Sequence, residues 1–382
     1  MSIVFWGLVG AIFWTYAGYP ILLALIAPLF GRRRVVAPIE PPVSVIIAAF
    51  NEEKHIARKL NNTLDQDYPS DRLEVIVASD CSTDSTHEIV GQFRDRGVKL
   101  VASPQRWGKT AAQNLAVSHA KGDILVFTDA TTILKPDTIR LLVRGFADPQ
   151  VGCIDAPHRS VSQGGTVVGL GGSIYRSYEG KIKELEARVN SLIGVTGCLY
   201  AVRRELYENI DPDLISDFLI ASKVYAKGHV SVTCPGLETE EIAHESVSKE
   251  FDMRARIAIR SIHGLVREAR MLNPFRYGFF SLQLLSHKVL RYLVPEFLVG
   301  TFFLSLALSR SESPWAWLYG WLFAAQLSVY VAAFLGWLSL RLRIRVPLLH
   351  LPFYFAVSNL AALWGLIQYL GGERKVTWST VR

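Results

Sequence analysis

The sequence predicts a mostly parallel α/β domain set between apolar segments that are long enough to cross a membrane. Short β-branched runs alternate with stretches of helical periodicity over residues 43–128, which is typical of βαβ units. The apolar residues, 50% of 382, are concentrated at the two ends of the chain. Charged residues follow each predicted strand, at the edge where open α/β sheets bind ligands.

The N-terminal segment is predicted to be a transmembrane anchor. Residues 1–31 are almost entirely apolar and exceed the ~20 residues that cross a bilayer. Arg32, Arg33 and Arg34 follow at once, and the positive-inside rule places them in the cytoplasm. Because the first residues lack the basic charge of a signal peptide, an uncleaved anchor is preferred.

A cytoplasmic domain is predicted over residues 42–248, after a proline-rich connector. Its first half is expected to contain, in order, strand 43–49, helix 53–64, strand 73–78, helix 86–94, strand 99–102, helix 109–119 and strand 124–128. Residues 151–225 are glycine-rich and less regular. We expect this second half to form the acceptor side and a mobile loop.

The C-terminal third predicts further membrane segments. Residues 249–291 alternate arginines with apolar residues and are expected to form basic amphipathic or interfacial helices; packing on the domain is the alternative for the first of them. About three spanning helices are predicted within 292–372, followed by a tail at 373–382.

The predicted topology contains a conflict. Arg341, Arg343 and Arg345 suit a cytoplasmic loop, but three crossings would then place the basic tail outside. One apolar run could therefore be re-entrant, and the run that begins at Pro347 is the weakest candidate to span.

Charge and cysteine content narrow the classes of partner. The net charge of +7 could indicate nucleic acid, but the arginines collect beside membrane segments and on one helical stretch. We therefore expect no nucleic acid partner and favour anionic membrane lipid or a sugar-linked phosphate. The four cysteines are widely spaced and include no CxxC pair, so no zinc site is expected.

Five short motifs occur in order within residues 42–272: VSVIIAAFNEE, VIVASDCSTDST, RWGKTAAQN, ILVFTDATT and LISDFLIASKVYAKG. Together they resemble the family 2 glycosyltransferases, the inverting membrane-bound group that includes exopolysaccharide, poly-N-acetylglucosamine and cellulose synthases. The resemblance implies a GT-A fold, a Rossmann-like nucleotide-diphospho-sugar transferase domain, joined to α-helical transmembrane segments. It also implies a multi-pass protein of the cell membrane with its catalytic domain in the cytoplasm.

The same resemblance implies a reaction and its partners. A sugar would pass from a nucleotide-diphosphate sugar, with UDP the better guess, to a polysaccharide or lipid-linked acceptor. Whether an accessory subunit is a further partner is left open. The alternative is a catalytically impaired, nucleotide-sugar-binding membrane regulator or accessory subunit of polysaccharide synthesis, because two motif positions, Thr131 and Ser216, depart from the family pattern.

Residues of the donor site are assigned by resemblance. Asp80 is similar to the carboxylate that accepts a hydrogen bond from the nucleotide base, and Glu52 to the one near the ribose. An Asx-turn at Asp80 and a helix N-terminal charge at Glu52 are the structural alternatives. Lys109 begins a predicted helix, where backbone N–H groups favour anions, and is expected to face the phosphates.

Asp129 is the expected metal ligand. It occupies the first position of the family's Asp-x-Asp motif, which here reads Asp129-Ala130-Thr131. The resemblance implies Mg²⁺ or Mn²⁺ bridging the diphosphate, held by Asp129, the phosphates and water. The alternative is that Asp129 caps a following helix.

Asp217 is the expected general base. It matches the final carboxylate of the family's paired acidic motif, in which Ser216 replaces the first acid. An inverting transfer needs one carboxylate to deprotonate the attacking hydroxyl, and no covalent intermediate is required. Asp213 is the alternative base.

The stretch that corresponds to the Gln-x-x-Arg-Trp motif of processive synthases here reads Met253-Arg254-Ala255-Arg256-Ile257. Arg256 could still meet the pyrophosphate of the donor. Because the glutamine and tryptophan are missing, processive synthesis is in doubt, and single addition stays an alternative.

Overall fold

The computed structural model describes residues 1–32, 34–156, 158–161, 167–234, 236–237, 239–242, 247–342, 344 and 346–377; at 158–161, 167–171, 173 and 239–242 only the backbone is described. Arg33, Arg343 and Arg345, which entered the topology prediction, lie outside these ranges. The chain divides into two compact units. The helical unit comprises Met1–Leu25, Ser162–Tyr178 and Ile242–Glu373, and the α/β unit comprises Ile26–Val161, Glu179–Glu241 and Arg374–Arg382.

The α/β unit is built on a seven-stranded sheet of order β3-β2-β1-β4-β7-β5-β8. The strands of this sheet are β1 Val43–Ala49, β2 Leu73–Ser79, β3 Val98–Ala102, β4 Ile124–Asp129, β5 Val151–Asp155, β7 Leu199–Arg203 and β8 Val230–Thr233. A separate two-stranded sheet pairs β6 His158–Val161 with β9 Thr239–Ile242. Strands β1 to β4 pair in parallel, whereas β7 runs antiparallel to both β4 and β5. Every residue of β1 is buried, which is typical of a central parallel strand covered on both faces.

Helices cover the sheet as the alternation in the sequence predicts. They are α3 Ile56–Leu64, α4 Thr86–Gly91, α5 Lys109–His119, α6 Thr138–Arg144, the C-terminal part of α7 Val167–Val189, and α8 Ser216–Ala226. The seven predicted elements are all present, and β1 and α5 have the predicted bounds. Helix α3 begins three residues late because the backbone at Asn51 and Glu53 is bonded to the turn after β2 instead.

The prediction of an irregular second half is wrong in one respect. Helix α7 runs for 23 residues through this glycine-containing stretch. Glycine lowers helix propensity by about 1 kcal/mol per residue, but burial of one helical face outweighs that cost. Ile182, Glu186 and Ala187 form the buried positions of its C-terminal part. Residues 162–166 of the expected loop lie outside the described residues.

The helical unit contains most of the apolar chain ends. Its helices are α1 Ser2–Phe13, the first part of α2 Tyr19–Phe30, α9 Val247–Arg267, α10 Pro274–Tyr277, α11 Phe279–Leu284, α12 Leu290–Ser309, α13 Ala316–Arg341 and α14 Pro347–Leu370. Within the described residues, four continuous helices are long and apolar enough to cross a membrane: Ser2–Phe30, Phe279–Ser309, Ala316–Arg341 and Pro347–Leu370.

The expected boundary at residue 291 is not a helix boundary. A π-helical turn, Leu285–Val289, joins α11 to α12, so that the helix is continuous over Phe279–Ser309. His287 and Lys288 lie in this turn, and His287 is buried. The polar residues that suggested a separate interfacial stretch are therefore accommodated inside the helix.

Helix α9 packs along α14 in the helical unit. Its buried face includes Ala255, Ala258 and Ile259. Arg254 donates to Glu250 Oε1 at 2.8 Å and also bonds the Tyr354 hydroxyl of α14. A basic amphipathic helix is present as predicted, and one face of it is covered by α14.

Candidate active site

Strand register brings the predicted site residues to one edge of the sheet. Asp129, the last residue of β4, pairs with Ala48 of β1, and Ala49 pairs with Ser79 of β2. The segments that begin at Asn51 and Asp80 therefore leave neighbouring strands at the same carboxyl edge as Asp129. This edge is where open parallel sheets bind ligands.

Asp80 is completely buried at the end of β2. Its Oδ1 accepts hydrogen bonds from the backbone N–H groups of Trp107 and Gly108, at 2.8 and 2.9 Å. Its Oδ2 is also buried and has no hydrogen-bond partner among the described residues. Burial raises the pKa of Asp80, although both N–H groups and the Arg106 charge oppose the shift. The Asx-turn alternative is excluded, because the bonded carboxylate oxygen accepts from a distant loop and not from the next residues of the chain.

Glu52 lies in a turn that is interlocked with the turn after β2. Its backbone N–H donates to Thr86 Oγ1 at 2.8 Å, and the next N–H, of Glu53, donates to Asp84 Oδ2 at 3.1 Å. Burial, with the nearby charges of Asp129 and Asp84, raises the pKa of Glu52 to about 7. Its carboxyl is therefore a neutral or half-charged hydrogen-bonding group near neutral pH.

Lys109 and Asp129 form an ion pair at the centre of the edge. Lys109 Nζ bonds Asp129 Oδ1 and donates to the Gly197 carbonyl at 3.1 Å. Burial acts against the charge of Lys109, but the Asp129 carboxylate outweighs it and the pKa of Lys109 is raised. The lysine therefore stays cationic at the N-terminus of α5, a position suited to an anion.

Lys59 contributes a buried amine near Asp129, which the sequence did not predict. Its Nζ donates to Thr132 O at 2.6 Å and to Thr128 Oγ1 at 3.1 Å. Burial lowers the pKa of Lys59 to about 7, while Asp129 opposes the shift. Helical periodicity was an available signal, because Lys59 shares the buried stripe of α3 with Ile56 and Thr63.

Asp217 lies in the first turn of α8, against the loop that contains Gly197. A Cβ placed on Gly197 would come within 2.6 Å of Asp217 Oδ2. The Asp217 carbonyl accepts a hydrogen bond from Val195 N at 2.9 Å, which ties the loop to the helix. Since Lys109 also bonds Gly197, the carboxylate, the glycine and the lysine are brought into one site.

A buried ion pair supports this loop and was also missed. Asp155 Oδ1 accepts from Thr196 N at 2.6 Å, and Lys183 Nζ lies 3.1 Å from Asp155 Oδ2. Lys183 Nζ donates to Thr196 Oγ1 at 3.0 Å as well. The pair lies on elements far apart in the sequence, so no local pattern could have indicated it.

Helix α5 holds the segment that leads to Asp217. Thr110 Oγ1 donates to Leu214 O at 3.0 Å, and Ser216 Oγ donates to Gln113 Oε1 at 3.0 Å. Asn114 Nδ2 donates to Ile210 O at 2.7 Å. The polar residues of RWGKTAAQN thus position the chain before α8, a role that sequence reasoning did not assign to Thr110 or Gln113.

The C-terminal tail packs on this edge. Arg374 Nη1 lies 3.2 Å from Asp213 Oδ2, which pairs the alternative base with a cation. Gly108 has a φ of +94°, and a Cβ there would meet the Val376 carbonyl at 2.6 Å. Glycine is therefore required at this turn, both by its backbone conformation and by the close approach of the tail.

Arg256 is not part of this assembly of contacts. It lies on α9 in the helical unit, half-buried, and burial lowers the pKa of its guanidinium. Its predicted contact with the pyrophosphate stays a prediction.

The protein oxygen ligands at this edge suit a cation held mainly by substrate and water better than one held by several protein side chains. In the described part of the chain, no three His, Cys, Asp or Glu side chains group into a metal site. Asp129, about a third exposed, offers a carboxylate oxygen beside the cationic Lys109. Such a site suits Mg²⁺ or a similar ion that keeps most of its ligands from water and phosphate.

The carboxyl edge of the parallel strands thus contains these carboxylates together with a lysine. Residues 44–211 match the model of Glycosyl transferase family 2. The fold is similar to that of the mannosyltransferase PcManGT from Pyrobaculum calidifontis, solved with GDP-Man and Mn²⁺, with a TM-score of 0.72 and 24% identity over 97% of this chain and 99% of that one. This stretch is therefore a family 2 glycosyltransferase domain, and the α/β unit has the GT-A fold.

Two curated relatives match shorter stretches. The poly(ribitol-phosphate) beta-N-acetylglucosaminyltransferase TarS of Staphylococcus aureus is 33% identical over 99 residues, which is 25% of this chain and 17% of TarS. The chondroitin synthase of Pasteurella multocida is 31% identical over 147 residues, 36% of this chain and 15% of that protein. The chain therefore spans less than a fifth of the length of either relative.

Proposed function

We propose that this protein is an integral membrane inverting glycosyltransferase. It transfers a sugar from a nucleotide-diphosphate sugar to a polysaccharide or lipid-linked acceptor at the cytoplasmic face of the cell membrane. The observation that carries the proposal is the convergence of Asp80, Lys109, Asp129 and Asp217 at one edge of a family 2 domain, with Gly197 in contact with the carboxylate of Asp217.

Asp217 acts as the general base. Its carboxylate takes the proton of the acceptor hydroxyl while the hydroxyl oxygen bonds to the anomeric carbon. The bond from that carbon to the diphosphate breaks on the opposite face, and the nucleotide diphosphate leaves with the electron pair. Lys109 and Asp129 lie on the donor side of this reaction, where charge develops on the leaving group.

The donor nucleotide is bound by Asp80 and Glu52. The buried Oδ2 of Asp80, which has no partner in the described ranges, is assigned to accept a hydrogen bond from the base. The Glu52 carboxyl, with its pKa raised to about 7, can donate as well as accept towards the ribose. A divalent cation at Asp129 offsets phosphate charge when bound. Arg256 is kept as a candidate pyrophosphate contact.

We also propose a topology in which α14 returns without crossing the membrane. Contacts of Arg374 and Val376 with the α/β unit support an even number of crossings between residues 279 and 373. We assign α14 as the apolar helix that does not cross, because it packs along α9 and shares a hydrogen bond with Arg254. This arrangement keeps both Arg341 and the basic tail in the cytoplasm, as the positive-inside rule requires.

The test is nucleotide diphosphate release by the full chain reconstituted in lipid, measured across UDP- and GDP-sugars with Mg²⁺ or Mn²⁺. Supplied acceptors are polyprenyl-linked sugars and oligosaccharides, and products are followed by mass. Asp217→Asn is expected to bind the donor normally and to lose transfer by about 10²- to 10⁴-fold, the usual contribution of a general base. Asp213→Asn is the matched control and is expected to retain most activity.

The outcomes separate the candidate functions. Donor-specific release that Asp217→Asn abolishes supports the transferase, and product length distinguishes polymer from single addition. Nucleotide binding without release for any donor and acceptor pair would favour the regulatory alternative. An equal loss of transfer activity in Asp213→Asn would assign the role of general base to Asp213 instead of Asp217.

A further inference from the structure

A cationic cavity of about 380 Å³ lies in the α/β unit, lined by none of the candidate active-site residues. Among the described residues, the lining includes four arginines, Arg32, Arg34, Arg144 and Arg188, and one carboxylate, Glu184. The surplus of positive charge at this cavity is unexplained by the transfer reaction.

The guanidinium groups are incompletely satisfied by protein. Arg34 lies 4.0 Å from Asp148 and donates to Gln150 Oε1 at 3.1 Å. Within the part of the chain that the structure describes, the buried Nε atoms of Arg34 and Arg144 have no hydrogen-bond partner. Burial lowers the pKa of Arg34, Asp148 opposes this shift, and Arg32 adds to it. An anion would relieve both the unpaired donors and the mutual repulsion.

The walls of the cavity are apolar, and its rim is next to the end of an apolar helix. Leu141, Leu142 and Ile154 contribute to these walls. Arg32 follows α2 by two residues, and its backbone N–H donates to the Arg188 carbonyl at 3.1 Å. If Ser2–Phe30 spans the bilayer, the arginines lie at the depth of the lipid headgroups, where phosphate is concentrated.

We propose that this cavity is a second anion site, which binds the phosphate group of a membrane lipid. The arginines bond the phosphate oxygens, and the apolar walls accept the first carbons of the lipid. A soluble phosphate ester could form the same bonds to the arginines, but it has no acyl chain to occupy the apolar walls. The inference rests on the membrane attachment in the proposed function and is independent of sugar transfer.

The test is native mass spectrometry of the full chain in neutral detergent, titrated separately with phosphatidylglycerol, phosphatidylcholine and inorganic phosphate. Arg144→Gln is the primary variant, because Arg144 has no ion pair to lose among the described residues. We expect it to weaken phosphatidylglycerol binding on the order of tenfold, the loss of one charged hydrogen bond. Glu184→Gln removes the one acidic side chain among the described lining residues and is expected to strengthen binding.

Arg94→Gln is the matched control. Arg94 is exposed on the α/β unit and does not line the cavity, so the same charge is removed elsewhere. Selective loss in Arg144→Gln with unchanged melting temperature supports the site. Displacement of the lipid by millimolar inorganic phosphate would assign the site to a soluble phosphate. Equal effects of Arg144→Gln and Arg94→Gln, or no preference for phosphatidylglycerol over phosphatidylcholine, would overturn the proposal, whatever the transfer assay shows.

Discussion

At the scale of single residues, the candidate active site depends on how charges are paired. Lys109 pairs with Asp129, Lys183 with Asp155 and Arg374 with Asp213. The carboxylate of Asp217 lies against Gly197, and the buried Oδ2 of Asp80 has no hydrogen-bond partner among the described residues. These ion pairs hold the loops around the site, and the Trp107 and Gly108 N–H groups hold the other oxygen of Asp80.

Gly197→Ala tests the close approach to Asp217. The added Cβ would lie 2.6 Å from Asp217 Oδ2, so the carboxylate must move. We expect kcat to fall by about 10- to 100-fold with donor affinity little changed, because misplacing a reacting group by about 1 Å has that effect. Gly91→Ala, where nothing lies within 4 Å of the added Cβ, is the control and should be silent. Unchanged kcat in Gly197→Ala would contradict the assigned geometry.

Glu52→Gln tests the raised pKa of Glu52 through stability. Burial raises the pKa to about 7, so the stability associated with the protonated carboxyl is present below its unfolded value and is lost as pH rises through about 7. The variant cannot ionise and avoids that loss. Its melting temperature relative to the wild-type protein should therefore rise between about pH 5 and about pH 8. Glu88→Gln, at an exposed position of α4, should show no such trend.

At the scale of elements, one helix organises both halves of the site. Helix α5 presents Lys109 at its N-terminus and, one turn later, Gln113 and Asn114 to the chain that precedes α8. Its bounds follow from the sequence, since Gly108 permits the turn before it. Its contacts do not, because Leu214 and Ser216 are about a hundred residues away, at separations of 104 and 103.

Gly180→Ala tests helix α7, which the sequence did not predict. Gly180 is exposed in the middle of this helix, and an added Cβ would meet nothing within 4 Å. If the helix is formed, alanine should stabilise the protein by about 0.5–1 kcal/mol, because it lowers the entropy of the unfolded chain. Thermal unfolding measures the change. Destabilisation would argue that residues around 180 are not helical.

At the scale of the whole molecule, the tail favours the topology proposed above. Three full crossings after residue 279 would separate Arg374 from Asp213, although the two form an ion pair. In the proposed topology α14 does not cross, so the crossings after residue 279 are even in number and the tail returns to the side of Asp213. Composition could identify four apolar helices but could not say which of them spans.

Cysteine accessibility in intact cells tests this topology. A Cys81→Ser background removes the half-buried thiol, and the other three native cysteines are buried. Single cysteines are then placed at Ser313, Leu342 and Glu373, in or beside the connections between the apolar helices. We expect an impermeant maleimide to label only the Ser313 variant from outside. Labelling of the Leu342 and Glu373 variants from opposite sides would show that α14 crosses.

The sequence by itself determined the alternating elements, the apolar ends and the motif residues at strand ends. These are local features, because hydrophobic periodicity and the residues that follow each strand are enough to indicate them. The tertiary structure alone decided that Lys59 and Lys183 support the site, that Asp213 is paired by the tail, and that arginines from Arg32 to Arg188 surround one cavity. These relations join residues distant in the chain, and their free energies depend on burial and on charge separation in space, which no local pattern encodes.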